Sequence, residues 1–449
     1  MNVLILYCST GGGHISAGKA LQEELELRGH HADMVDTYTI VSDRLAEWIG
    51  HSYDRIVQRT PILWGIFYQI GRFRSSLPFH TLVYKLNRYM GEPMREFFNQ
   101  HPYDIVLSLH VFPAEMLGGM KEQGIPVPKT VMVATDYTCP PLTAEADNDF
   151  YIVPAEQMEK EFVSEDIPQT RLRVLGIPVR REFSVHTGTN RSQDIRSEGL
   201  PPSESLSPCA NPDSLRYTQP HSRTDCNQVS GREAARQLAA KQLGLDPDRH
   251  YLLLSGGSIG AGRIRTAAKT IAKYLKSHPA YDLIIICGNN DRLYEKLKKH
   301  YQNNAQIRLL RHTDQMAAYM RASDVLISKP GGLTSTEAAI CGVPLIHISP
   351  IPGCERKNAK FFAQREMSLC PKNCRRKLSA ALKQLENPIA VEQMIRRQQQ
   401  EINPRAAADI CDFAEQIVQT EGRTANCTGK TGIPEANDGE FSRISHSLC

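Results

Sequence analysis

The second half of the chain alternates short apolar runs with helix-length segments, and this rhythm restricts the fold more than any other feature. The runs are Tyr251–Leu254, Asp282–Cys287, Ile307–Leu310, Val325–Ser328 and Pro344–Ile348. Strands separated by helices pair in parallel, because a parallel neighbour needs a crossover long enough to hold a helix. Helices then cover both faces of the sheet, so each strand reads as an unbroken apolar run. The first half repeats the pattern in Val3–Tyr7, Ile105–Leu109 and Thr130–Ala134, bounded by Pro and Asp. After the turn Ser9–His14, Ala17, Ala20, Leu21 and Leu25 share one helical face. The sequence predicts an α/β protein with two Rossmann-like halves facing across a cleft.

Between the halves, Ser184–Arg232 is rich in Ser, Pro, Asn, Arg and Asp, and its few apolar residues show no period. Such a segment buries too little surface to offset its ordering entropy, so it reads as a disordered insertion. The predicted organisation is a first domain over 1–183, the insertion over 184–232 and a second domain over 233–386. C-terminal helices over 387–421, interrupted at Pro404, and a disordered tail over 422–449 complete it. A net charge of +4 from 53 basic and 49 acidic residues is too mild for a nucleic-acid coat. The twelve cysteines lack regular spacing, and Cys8 and Cys287 lie in strand-like runs, which predicts a reduced cytoplasmic chain rather than a disulfide scaffold. Val3–Tyr7 has no basic segment before it, as a signal peptide would, and no stretch approaches the ~20 apolar residues of a spanning helix.

The glycine loops carry the chemistry. Ser9-Thr10-Gly11-Gly12-Gly13-His14 follows a predicted strand and opens a helix, where backbone N–H groups can approach an anionic or polar ligand. It is not a P-loop, since Ala20 stands where a magnesium-binding hydroxyl belongs. Nor is it a dinucleotide fingerprint, since Ser16 replaces the last glycine. His14 reads as a candidate general base, or as a helix N-terminal histidine without a catalytic role. The second half places three loops at carboxyl ends of predicted strands: Gly256–Gly262, Lys329–Thr334 and Pro350–Asn358. Gly331, Gly332 and Thr334 supply donors at a positive helix end, Glu337 can accept hydrogen bonds from a ribose, and Glu355 and Asn358 can hold sugar hydroxyls. Three such loops on one sheet edge point to a nucleoside diphosphate.

Together, Gly11-Gly12-Gly13-His14, the loop Gly256–Gly262, Lys329-Pro-Gly-Gly-Leu-Thr-x-x-Glu337-Ala and Pro350-x-Pro-Gly-x-Glu355-x-x-Asn358 resemble the monogalactosyldiacylglycerol synthase and processive diacylglycerol glucosyltransferase family. The resemblance covers roughly 1–183 and 233–420. It implies a GT-B fold and an inverting, metal-independent transfer of glucose or galactose from a UDP-sugar to diacylglycerol. The UDP-sugar is a co-substrate, and no cofactor is implied. By position, His14 matches the histidine that activates the acceptor hydroxyl, and Asp136 a second acidic position near the reacting centre. Gly256, Gly257, Gly260, Gly331, Gly332, Leu333, Thr334, Glu337, Glu355 and Asn358 match the nucleotide-sugar side, and Gly13 the acceptor side. His110, in Ser-Leu-His-Val-Phe-Pro, falls on a family-like motif and reads equally as a core histidine.

Cys354 stands where the family has Gln, and Cys139–Thr143 replaces a family His or Phe-Trp, so this chain departs from its relatives at the sugar and acceptor contacts. Cys370 and Cys374 lack the complementary pair a metal site needs. An apolar-aromatic run with Trp64, Phe67 and Tyr68, followed by Arg72, Arg74, Lys85 and Arg88, suits a headgroup interface with anionic lipid, or a buried helix with solvated flanks. The expected protein is a peripheral enzyme on the cytoplasmic face of the membrane, with no nucleic-acid partner. Two rivals stay open: a UDP-N-acetylglucosamine transferase acting on a polyprenyl-linked acceptor, and a UDP-sugar-binding regulator without transfer.

Overall fold

The structure is a computed structural model that describes residues 1–9, 11–59, 84, 90–184, 226–372 and 374–428. Its N-terminal sheet comprises β1 (Asn2–Tyr7), β2 (His31–Asp36), β3 (Ile105–Ser108), β4 (Lys129–Val133), β5 (Phe150–Val153) and β6 (Leu172–Val174). The strands lie in the order β2-β1-β3-β4-β5-β6, and every pairing is parallel. The C-terminal sheet comprises β7 (His250–Ser255), β8 (Tyr281–Ile286), β9 (Ile307–Leu310), β10 (Val325–Ser328) and β11 (Leu345–His347). Its order is β11-β10-β7-β8-β9, again entirely parallel.

Burial explains the apolar runs. Val3 to Leu6 and Ile105 to Leu107 are fully buried because helices pack on both faces of their sheet. The helix Gly12–Leu27 covers β1 with Ala17, Leu21 and Leu25, and the helix Ile264–Leu275 buries Ile264, Ala267, Ala268, Ile271 and Leu275 at 3–4-residue spacing. One apolar cluster runs from β1 and β3 through Tyr137 and Leu333 to Phe361 and Phe362, so it belongs to both domains. Tyr137 stacks on Phe361 at 4.5 Å and meets Phe362 edge-on at 5.1 Å.

Two element boundaries differ from the sequence reading. The helix Cys226–Gln242 starts inside the interval assigned to the insertion. Its anchor is Arg236, which grips Glu233 and the carbonyls of Pro247 and Arg249, with Ala239 and Ala240 buried beneath it. Its first turns, CNQVSGR, are polar apart from Cys226 and Val229 and include a glycine, which is why the sequence hid its start. The helix Ala406–Thr428 continues past 422 and returns to the N-terminal domain, where Arg28 bonds Asp412 at 2.6 Å and Glu415 at 3.1 Å. Pro404 lies in the break between this helix and Pro388–Glu401. The insertion positions 185–225, the tail from 429 onward, and the docking residues Trp64, Phe67, Tyr68, Arg72, Arg74, Lys85 and Arg88 lie outside the described residues. Among the described residues, no helix is long and apolar enough to cross a membrane.

Candidate functional site

Each sheet opens a crevice where its strand order turns back, at β1 between β2 and β3 and at β7 between β10 and β8. The loops leaving these strands meet face to face. Gly11, at φ +103°, caps the helix Gly12–Leu27, and the Gly12 N–H donates to Ser258 Oγ of the opposite domain at 3.1 Å. A Cβ at Gly12 would lie 2.5 Å from that oxygen, so this approach needs glycine.

His14 sits in the first turn of the same helix. Its Nδ1 is 3.2 Å from Thr135 Oγ1, and its ring stands edge-on to His110 with centroids 4.8 Å apart. Burial pushes its pKa down to about 4, against a hydrogen bond to the Leu109 carbonyl that favours the proton. The imidazole is therefore neutral at physiological pH and has a lone pair to offer.

Asp136 follows β4 and reaches across the contact. Its Oδ1 accepts from Asn358 Nδ2 at 2.6 Å, and the carboxylate also accepts from the Gly332 N–H. Burial raises its pKa to about 6, with the Asn358 bond and nearby Lys329 opposing the rise. A Cβ at Gly332 would fall 2.0 Å from the Thr135 carbonyl, so only glycine lets the domains close here.

The C-terminal side begins with Gly256–Gly262. Gly260 is left-handed at φ +56°, and a Cβ there would sit 2.2 Å from the Cys287 carbonyl. Gly257 lies against Lys329, whose Nζ bonds Glu355 Oε1 at 2.7 Å with both side chains no more than 15% exposed. The other Glu355 oxygen accepts from the Ile351 N–H at 2.8 Å. The helix Gly332–Ile340 starts at Gly331, which has no side chain to cap it, and its first N–H is the one that Asp136 occupies. Leu333 is buried and faces Gly13 across the interface, while Thr334 is half-exposed. Glu337 is only 7% exposed, and its Oε1 accepts from Ser16 Oγ at 3.0 Å. Burial pushes its pKa up to about 7.

Asn358 is turned into the contact between the two domains. It is fully buried, its Oδ1 accepts from the Tyr137 N–H at 2.8 Å, and its Nδ2 donates to Asp136 and to the Pro330 carbonyl at 3.0 Å. Glu355 is likewise held by Lys329 and Ile351. The structure thus brings His14, Asp136, Gly332, Glu337 and Asn358 together, with residues of the first domain resting on the seats that sequence assigned to donor. Ser16, Thr135 and Lys329 were given no role by sequence. Lys329 had a readable signal, a basic residue at a strand's carboxyl end before Pro-Gly-Gly, whereas Ser16 and Thr135 had none. A groove of about 820 Å³ lies between the helices Ile264–Leu275 and Cys374–Gln384, lined by Arg265, Lys269 and Lys273. None of the site residues lines it.

Residues 14–179 match the family model for monogalactosyldiacylglycerol (MGDG) synthase, and residues 251–410 match the glycosyltransferase family 28 C-terminal domain. The processive diacylglycerol beta-glucosyltransferase of Bacillus subtilis is 23% identical over 366 residues, covering 81% of each chain. The probable monogalactosyldiacylglycerol synthase 3, chloroplastic, of Oryza sativa is 26% identical over 389 residues, 83% of this chain and 66% of that one. Among solved structures, MurG of Acinetobacter baumannii aligns with a TM-score of 0.54 at 13% identity, over 93% of this chain and all of that one. At that identity the likeness shows the fold alone, which is GT-B.

Proposed function

On the premise that the chain belongs to the family of monogalactosyldiacylglycerol synthases and processive diacylglycerol glucosyltransferases, we propose that it transfers glucose or galactose from a UDP-sugar to the free hydroxyl of diacylglycerol. The observation that carries this reading is the opposition of a neutral imidazole on one domain and, on the other, a helix N-terminus with glycine at its cap and Asp136 resting on its first N–H, with the domains in contact at Gly12 and Ser258. A base and a leaving-group seat on opposite domains suit single displacement, which inverts the anomeric carbon.

His14 accepts the proton of the acceptor hydroxyl as its oxygen bonds to the anomeric carbon. The bond from that carbon to the diphosphate oxygen breaks, and UDP departs with the electron pair. The N–H groups at the start of Gly332–Ile340, the Thr334 hydroxyl and the Lys329 ammonium stabilise the departing charge. Gly256, Gly257 and Gly260 let the backbone approach the nucleotide, and Glu337 accepts from the ribose. Donor entry displaces Asp136 from the Gly332 N–H and Ser16 from Glu337. The freed Asp136 then stands beside the reacting centre. Glu355 acts through Lys329, keeping it in place beside Gly257, and Asn358 acts through Asp136.

The acceptor also fixes location. Drawing a diacylglycerol out of the bilayer costs about 0.8 kcal/mol per exposed methylene, so the enzyme works as a peripheral protein at the membrane surface, and we place that surface on the cytoplasmic face. Anionic lipid is its surface partner, with residues 62–95 as the docking segment, and Gly13 lines the acceptor side. The test is incubation of the full chain with labelled UDP-glucose or UDP-galactose and vesicles holding diacylglycerol, followed by lipid analysis. Labelled glycosyl-diacylglycerol is expected. Label found only on a polyprenyl acceptor, or tight UDP binding with no transfer, would overturn the reading.

A further inference from the structure

Two imidazoles stand in the N-terminal crevice, and the mechanism above uses one. His110 follows β3 and caps the helix Val111–Glu122, its Nδ1 accepting from the Phe112 N–H at 3.2 Å. A nitrogen that accepts carries no proton, so the neutral ring bears its hydrogen on Nε2. Burial and the neighbouring His14 both disfavour the charged form. Among the described residues no hydrogen-bond partner is seen for Nε2, and the residue is half-buried rather than sealed in the core. The cap thus leaves one N–H donor available beside His14, with the Phe112 ring edge-on to His110 at 4.6 Å.

We infer that His110 is an acceptor-binding residue, whose Nε2–H donates a hydrogen bond to the ester carbonyl adjoining the hydroxyl that His14 deprotonates. In a 1,2-diacylglycerol the free hydroxyl and the neighbouring ester sit on adjacent glycerol carbons. Two rings with centroids 4.8 Å apart can be bridged by that one unit. The match is also one of charge. An ester carbonyl is a neutral acceptor and takes a neutral donor, whereas the phosphates of the donor substrate are met by Lys329 and a helix N-terminus on the other domain. The Phe112 ring gives the acceptor's lipid portion an apolar neighbour. His110 selects acceptors by what lies next to the hydroxyl, and His14 acts on the hydroxyl itself.

The inference rests on the diacylglycerol reading, and the experiment separates the two. Two acceptors are compared in vesicles: 1,2-diacylglycerol and its analogue with an ether in place of the second ester, which lacks only that carbonyl. One neutral hydrogen bond predicts that kcat/KM of the wild-type chain favours the ester by a factor on the order of 5–10. His110→Ser keeps an oxygen to cap the helix but no donor of that reach, so the preference should fall to about 1 with KM for the UDP-sugar unchanged. His110→Asn caps through its oxygen and keeps a shorter N–H donor, so part of the preference should return. A purely structural role would lower both acceptors equally. An equal preference in wild type and His110→Ser overturns the inference alone. So does a wild-type preference of 1, a readout that needs no folded variant. Transfer to neither lipid overturns the diacylglycerol reading and this inference with it.

Discussion

Replacing Asn358 by Ala distinguishes a domain latch from a sugar ligand. The side chain is fully buried and makes three hydrogen bonds, at 2.8 Å from the Tyr137 N–H, 2.6 Å to Asp136 and 3.0 Å to the Pro330 carbonyl. Two are neutral, worth about 1 kcal/mol each net, and the bond to the carboxyl is worth about 1.5–3 kcal/mol when Asp136 is ionised. Truncation also strands the Tyr137 N–H and the Asp136 carboxyl in a contact with little water, so the total loss is about 3–5 kcal/mol. Urea unfolding followed by fluorescence and by circular dichroism measures it as a lower midpoint, and coincidence of the two probes checks cooperativity. Combined with Asp136→Asn in a double-mutant cycle, the pair should show a coupling of about 1–2 kcal/mol. A loss under about 1 kcal/mol, with KM for the UDP-sugar raised instead, would refute the latch and return Asn358 to the sugar.

His14→Ala should lower kcat by a factor on the order of 10² or more with UDP affinity nearly unchanged, measured by steady-state kinetics and calorimetry, and near-normal turnover would end its role as base. Glu337→Ala should weaken UDP binding in calorimetry, because it removes ribose acceptors from the ground state; unchanged affinity would count against that role. Lys329→Met should also reduce UDP affinity, and with Glu355 left as a buried carboxylate it should destabilise the chain by a few kcal/mol, on the order of the 3–5 of a broken buried pair, in the same urea assay. The pH dependence follows from Asp136 and Glu337, held at about 6 and about 7, above the usual carboxyl range. The folded state holds these protons more tightly than the unfolded chain. Their stabilisation is therefore complete below about pH 4 and lost as pH rises through 6 and 7. His14, pushed down to about 4, acts with the opposite sign: its contribution is present above about pH 6.5 and lost as pH falls through 4. Asp136→Asn with Glu337→Gln should lose less stability than wild type between about pH 4.5 and about pH 7.5; equal losses would show that these carboxyls do not carry the effect.

Much of the fold is legible because buried parallel strands write themselves as continuous apolar runs, as in Val3–Leu6, Leu252–Leu254 and Leu326–Ile327. The strands that sequence misses lie toward one edge or the other of their sheet. β2 (HADMVD) mixes polar and apolar residues beside an exposed His31, and β6 is three residues long and ends on Val174, which is 38% exposed. β5 (FYIV) carries the same signal as β3 (IVLS), a four-residue apolar run, and is readable from it. The glycine loops are readable since their spacing follows strand ends. What Asn358 and Glu337 touch is not, because their partners Asp136 and Ser16 lie 222 and 321 residues away and only the closed pair of domains brings them together.

The measurement closest to the central claim is the anomeric configuration of the lipid product, read by proton NMR after incubation of the full chain with diacylglycerol vesicles and an α-linked UDP-glucose or UDP-galactose. Transfer by single displacement between His14 and the helix Gly332–Ile340 predicts a β-glycosyl diacylglycerol. An α-linked product, or no glycosylated diacylglycerol from either donor, would contradict it.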